Sequence, residues 1–209
     1  MSPAPSRQPR MPREERRRQL LDAAMQVFVE HGYHGTSMDD IAVAAQVSKP
    51  VLYQHFPGKH ELFMDLLETQ VQVLSTGLTE ALGSTDDNRE RVRATIRAYF
   101  QFMDRTDRAY RLLFDSGLNN DPAVATHLES LTYEFASEIA DIIAVDTRLP
   151  REHALLLGHG LAGLVQSAAR YWATQPEGPA RPDLDEATEL AFRLTWRGIS
   201  RFPKEQPAG

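Results

Sequence analysis

The chain has 209 residues, 42% of them hydrophobic and 25% charged, with a formal net charge of −6 and no cysteine. That length supports a self-sufficient core in one long domain or two short ones, and the missing cysteines exclude disulfides, thiolate nucleophiles and Cys-based zinc sites. No run approaches the roughly eighteen apolar residues of a membrane span, and the N-terminus lacks a signal peptide's apolar core, so a cytoplasmic protein with no membrane partner is expected.

The charge is unevenly placed. Residues 1–60 carry eight Lys/Arg against six Asp/Glu, and the remainder carry fifteen against twenty-three. A basic end on an acidic body suits a polyanion met at that end alone, although a basic tail without a role has the same signature.

Residues 1–12 hold four prolines and no apolar period, which predicts a disordered basic arm. From Arg13, Leu20, Ala24, Val27 and Phe28 fall at helical spacing, and Gly32 ends the run. Ser37 then precedes MDDIAVAA with Asp40 three residues on, a capping box with Asp in the place of Glu, and Met38, Ile41, Ala42 and Ala45 form a buried stripe. A turn at Gln46–Val47 leads to SKPVLYQHFPGK. Ser48 is the expected N-cap, with its hydroxyl accepting from the first turn, and Pro50 at the second helical position removes an N–H that has no intrahelical partner. A break at Pro57–Gly58 follows.

A long helix is expected from Lys59 to about Leu82, with Leu62, Leu66, Leu74 and Leu78 in register. Arg89–Arg105 repeats Val92, Ile96, Tyr99 and Met103, and a shorter piece spans Ala109–Ser116. Asp121–Pro122 reads as N-cap and first helical residue of a helix carrying Val124, Leu128, Leu131, Phe135, Ile139 and Ile142. Arg151–Ala173 and Asp185–Ser200 complete an all-α chain of roughly nine helices, since no segment alternates with period two. The expected division is an arm over 1–12, a head over 13–58 and a body over 59–209.

On a helical wheel of the quoted stretch, Leu52 and Phe56 face inward. Pro50, Val51 and Gln54 point out, flanked by Lys49, Tyr53 and His55. Two short capped helices around a tight turn make a helix-turn-helix. Its outer face suits DNA, with Gln for adenine, apolar groups for a thymine methyl and Lys, Tyr and His for phosphates. Periodicity alone also allows a small surface helix with miscellaneous polar residues.

Residues Arg13 to Phe63, above all LLDAAMQVFVEHGYHGTSMDDIAVAAQVSKPVLYQHFPGKHELF, resemble the N-terminal domain of TetR-family transcription regulators. The resemblance implies a three-helix DNA-binding head on a helical body that binds a ligand and dimerises. It implies backbone contacts from Thr36 and Ser37, phosphate contacts from Lys49, Tyr53, His55 and Lys59, and base contacts from Pro50, Val51 and Gln54. Pro50 stands where a glycine is common, so its contact must be apolar. PREERRRQLL, VSKPVLYQHF, YRLLF, DPAVA and ARYW resemble the actinobacterial regulators of fatty-acid synthesis, the FasR-like branch, which implies a long-chain acyl-CoA effector. On the arm, Arg7, Arg10, Arg13, Arg16, Arg17 and Arg18 are candidates for phosphates or a minor groove.

In the body, Leu78, Leu82, Tyr99, Phe102, Met103, Phe114, Leu131, Phe135, Tyr171 and Trp172 are the candidate ligand wall, or simply core. Few polar residues fall in these stripes, which favours an apolar tunnel for an acyl chain over a sugar or nucleotide site. Arg105, Arg108 and Arg111 are candidates for a coenzyme A head group or a solvated face. Gly158, Gly160 and Gly163 within one helix suggest a close helix contact inside the body or across a homodimer, with Phe192 and Trp196 on its other side. No HExxH, GxSxG or Walker loop is present, so neither an enzyme nor a metal or other cofactor is expected. The composite expectation is a homodimeric regulator that reads an inverted-repeat DNA operator under control of a hydrophobic effector. The alternatives are a regulator of efflux or catabolic genes and a helical lipid-binding protein.

Overall fold

The computed structural model describes residues 11–105, 109–114, 116–118 and 121–199. Most of the expected arm, with Arg7 and Arg10, lies outside them, as do Arg108 and Ser200. Among the described residues there are nine helices and no strand. They are α1 (Arg13–His31), α2 (Met38–Ala44), α3 (Lys49–His55), α4 (Lys59–Gly83), α5 (Asn88–Met103), α6 (Tyr110–Phe114), α7 (Pro122–Thr147), α8 (Arg151–Thr174) and α9 (Leu184–Ile199). The all-α expectation holds.

Local chemistry explains the boundaries. Gly32 closes α1 at φ 70°, its N–H donating to the Phe28 carbonyl at 2.8 Å. The capping box of α2 is formed in both directions: Asp40 N–H donates to Ser37 Oγ at 3.2 Å, and Ser37 N–H donates to Asp40 Oδ2 at 2.9 Å. Ser48 behaves differently from its expected role. It occupies the N-cap of α3 in extended geometry, but its side chain makes no capping bond and its carbonyl alone receives Val51 and Leu52 N–H groups. Asp121 does cap α7, accepting from Ala123 and Val124 with Pro122 in the first turn.

The chain divides into two compact units, one through Leu66 and one from Leu67. The division falls inside α4 because Leu62, Phe63 and Leu66 are buried in the first unit, where Phe63 meets Phe28 edge-on at 5.4 Å and Tyr33 at 5.2 Å. Leu20, Ala24, Ile41, Leu52 and Phe56 complete that core. In the second unit α7 and α8 lie against each other, and α5 packs on α8 and α9. Gly158 makes the α7–α8 approach possible, since a Cβ there would sit 2.3 Å from the Ala136 carbonyl oxygen. Beyond it, Ala140, Ile143 and Ala154 form a small-residue core.

Candidate nucleic-acid interface and ligand cavity

The α2–α3 turn is tight. Gln46 takes φ 55°, and Val47 N–H reaches back to the Ala42 carbonyl at 3.0 Å. Behind α3, Leu52 and Phe56 are buried, as the wheel requires. In front, Lys49, Pro50, Tyr53 and Gln54 are exposed, with Val51 and His55 half-buried beside them. These six side chains form one continuous outer face.

Three of the expected contact residues are committed elsewhere. Thr36 is buried, and its hydroxyl donates to the Gly32 carbonyl at 2.8 Å, so it closes the α1–α2 turn and offers no side chain outward. Lys59 donates to the Tyr33 and Thr36 carbonyls at 2.9 and 2.8 Å and sits 4.3 Å over the Tyr33 ring. It ties α4 to the same turn. Arg17 pairs with Asp65, donates to the His55 carbonyl at 3.2 Å and lies 4.4 Å over Phe56. It ties α1 to α3 and α4 at the head's surface, with about a third of its side chain still exposed. Arg16 donates to Gln19, while Arg13 and Arg18 stay exposed.

The remaining cations are available at little cost. Lys49 meets Asp39 at 2.5 Å, and this hydrogen bond holds its ammonium above the ordinary lysine range. The pair is exposed, so a phosphate can take Asp39's place readily. Ser37 gives both its hydroxyl and its N–H to Asp40, whose carboxyl these bonds hold low. His55 is held below the usual imidazole range by burial first, then by Arg13, Arg17 and Arg16. Val43 on α2 is 78% exposed, an apolar side chain that periodicity did not single out because α2 already had its buried stripe.

In the second unit, a narrow cavity of about 90 Å³ lies among α5, α7, α8 and α9, with Leu82 from the end of α4. Leu82, Tyr99 and Phe135 are on its wall, joined by Val92, Ile96, Ile139, Ile142, Leu161 and Val165. Trp196 is also there, and Phe192 is buried behind it with Arg93 4.2 Å over its ring. Both were expected to meet the glycines of α8 inside the body or across a dimer, and here both face inward. The polar groups of the wall are mostly engaged. Arg91 donates to the Thr85 carbonyl and to Asn88, and Thr95 and Thr195 each donate to a carbonyl four residues back at 2.9 Å.

The other candidate ligand residues are dispersed. Leu78, Met103 and Leu131 are core residues away from this wall. Phe102 lines a groove between α4 and α5, and Phe114 lines one beside α7. Tyr171 and Trp172 border an open groove under the α8–α9 connection, where Trp172 Nε1–H donates to the Pro182 carbonyl at 2.8 Å. Arg105 donates to Gln70 at 3.2 Å, and both Arg105 and Arg111 are half-buried.

Gly160 and Gly163 face open space, unlike Gly158. With Leu156, 74% exposed, and Leu164 they form one stripe of α8. A groove places Leu156, Gly160 and Leu164 beside Leu194 and Gly198 of α9, and Leu190 extends the same exposed row.

Residues 20–66 match the profile of the bacterial regulatory proteins of the tetR family, and residues 77–194 match a tetracyclin repressor-like C-terminal domain. The chain belongs to the TetR family. It is a DNA-binding transcription regulator, and α2 and α3 are its helix-turn-helix. It is 41% identical to the HTH-type transcriptional activator FasR of Mycolicibacterium smegmatis over 195 residues, 93% of this chain and 87% of that protein. A TetR-like transcriptional regulator from Rhodococcus sp. RHA1 shares the fold with a TM-score of 0.74 and 27% identity, over 92% of this chain and all of the other. AibR, solved with isovaleryl coenzyme A and operator DNA, has the same fold at 16% identity and a TM-score of 0.69, over 86% of this chain and 97% of its own.

Proposed function

We propose that this TetR-family protein is a homodimeric regulator of fatty-acid-synthesis genes whose DNA binding is controlled by a long-chain acyl-CoA. The observation that carries the reading is the 41% identity with FasR along nearly the whole chain, in company with an apolar cavity inside the body. The fold is one that in AibR accommodates isovaleryl coenzyme A together with operator DNA.

The cavity's size defines how an effector acts. At about 90 Å³ it is smaller than the roughly 150 Å³ that holds one benzene. A long acyl chain enters only if α5, α7, α8 and α9 move apart. It therefore binds an expanded state better than the present one, and that differential affinity is what shifts a conformational equilibrium. Helix α4 begins in the head's core at Leu62 and Phe63 and supplies Leu82 to the cavity wall, so it carries the displacement.

The exposed row of Leu156, Gly160, Leu164, Leu190 and Leu194 is the dimer surface. Its glycines let a second helix approach closely. Two heads then meet major grooves about 34–36 Å apart, which calls for an inverted repeat. Sequencing the fragments this protein retains from its own genome tests the assignment. Inverted repeats upstream of fatty-acid-synthesis genes are expected, and sites confined to efflux or catabolic genes contradict it.

A further inference from the structure

Tyr99 brings an unused donor to a cavity that otherwise has little to offer a polar ligand. The residue is 2% exposed and lines the cavity. None of the hydrogen bonds among the described residues involves its hydroxyl, and that oxygen is not one of the fully buried unpartnered atoms, so it borders the free space of the cavity. Its polar neighbours are engaged: Arg91 saturates the Thr85 carbonyl and Asn88, and the Thr95 and Thr195 hydroxyls donate along their own helices.

A donor that borders a cavity without a protein partner is free for a ligand, and native proteins keep few such groups inside. Tyrosine and phenylalanine fill this space almost equally well, so packing alone does not explain the oxygen. Burial pushes the phenol's ionisation up, against a smaller opposing effect of Arg170, and the group stays a neutral O–H donor. What it lacks is an acceptor. The surrounding wall of Val92, Phe135 and Ile139 requires that the acceptor arrive on an aliphatic molecule. An unsubstituted hydrocarbon would leave the donor unsatisfied.

We propose that the Tyr99 hydroxyl holds the carbonyl oxygen of an acyl ligand, an assignment that rests on the acyl-effector reading above. A site built to donate a hydrogen bond discriminates against analogues that lack the acceptor, so Tyr99 selects acyl over alkyl chains of the same length.

The test is calorimetric titration of the full chain and of Tyr99→Phe with three ligands. They are hexadecanoyl-CoA, its S-hexadecyl-CoA thioether, which lacks the carbonyl, and hexadecanoic acid. The wild type should favour the thioester over the thioether by about 3- to 10-fold, the range of one net hydrogen bond. Tyr99→Phe should bind the two alike, and its ligand-free Tm should be unchanged or higher because an unpartnered hydroxyl has been removed. A wild type indifferent to the carbonyl, a variant that keeps the preference, or a fall in ligand-free Tm overturns the proposal. Binding of hexadecanoic acid alone, weakened in the variant, supports Tyr99 and refutes the coenzyme A reading. If that binding is not weakened, Tyr99 is refuted as well. Binding of none of the three ligands sinks the acyl reading and the Tyr99 assignment together.

Discussion

Gly158 of α8 lies against Ala136 of α7 so closely that an added Cβ would stand 2.3 Å from the Ala136 carbonyl oxygen. The obstacle is backbone, which cannot swing aside. Alanine in place of an interior helical glycine ordinarily gains about 1 kcal/mol. At Gly158 that gain is outweighed by overpacking of about 1–3 kcal/mol. Urea unfolding should show Gly158→Ala less stable than the wild type, while Gly77→Ala on α4, with open space around it, should be more stable.

The exposed row on α8 and α9 makes a separate claim. Leu190 and Leu194 are 55% and 64% exposed, so replacing both by glutamate should leave the protomer folded, with Tm lowered only by the loss of association. Two buried charges would nevertheless break an apolar interface. Sedimentation velocity should show a dimer for the wild type and a monomer for the double variant, with a matching loss of affinity for an inverted repeat.

On the head, Gln54 and Tyr53 should separate base reading from phosphate holding. Gln54→Ala should relax the preference at one base position of each half-site by about 1–3 kcal/mol. Tyr53→Phe should weaken binding to every sequence about equally. Selection of bound sites from a random library distinguishes the two effects, and unchanged preferences for Gln54→Ala would assign the base contacts to another residue.

The helices, the Ser37–Asp40 cap and the outer face of α3 were legible because they depend on neighbours within one or two turns. The internal bonds of Thr36 and Lys59 were not legible, because their partners, the Gly32, Tyr33 and Thr36 carbonyls, become reachable only once α1, α2 and α4 are packed. Arg17 looks like a free basic residue until the fold brings Phe56 and Asp65 beside it. Phe192 and Trp196 share a stripe of α9, but a stripe does not say which neighbour it faces. The cavity is the hardest feature to foresee, since its wall comes from five helices and no single periodicity encodes a gap between them.

His55 gives the head a pH dependence of known sign. Its folded pKa lies below the ordinary value, so its contribution to stability is present above pH about 6.5 and is lost as pH falls through the folded pKa. A phosphate beside the imidazole favours the cation. DNA affinity should therefore rise as pH falls from about 8 to 5 at constant salt. His55→Gln should flatten that slope in fluorescence anisotropy titrations, and an unchanged slope would remove His55 from the interface.

A filled cavity should change the protein's hold on DNA. The most direct measurement is the operator Kd in the absence and presence of hexadecanoyl-CoA, with free coenzyme A as the control. A change of about tenfold or more with the thioester, equivalent to about 1.4 kcal/mol of coupling, and none with coenzyme A is the result expected. An operator Kd that is the same with and without saturating hexadecanoyl-CoA would contradict it.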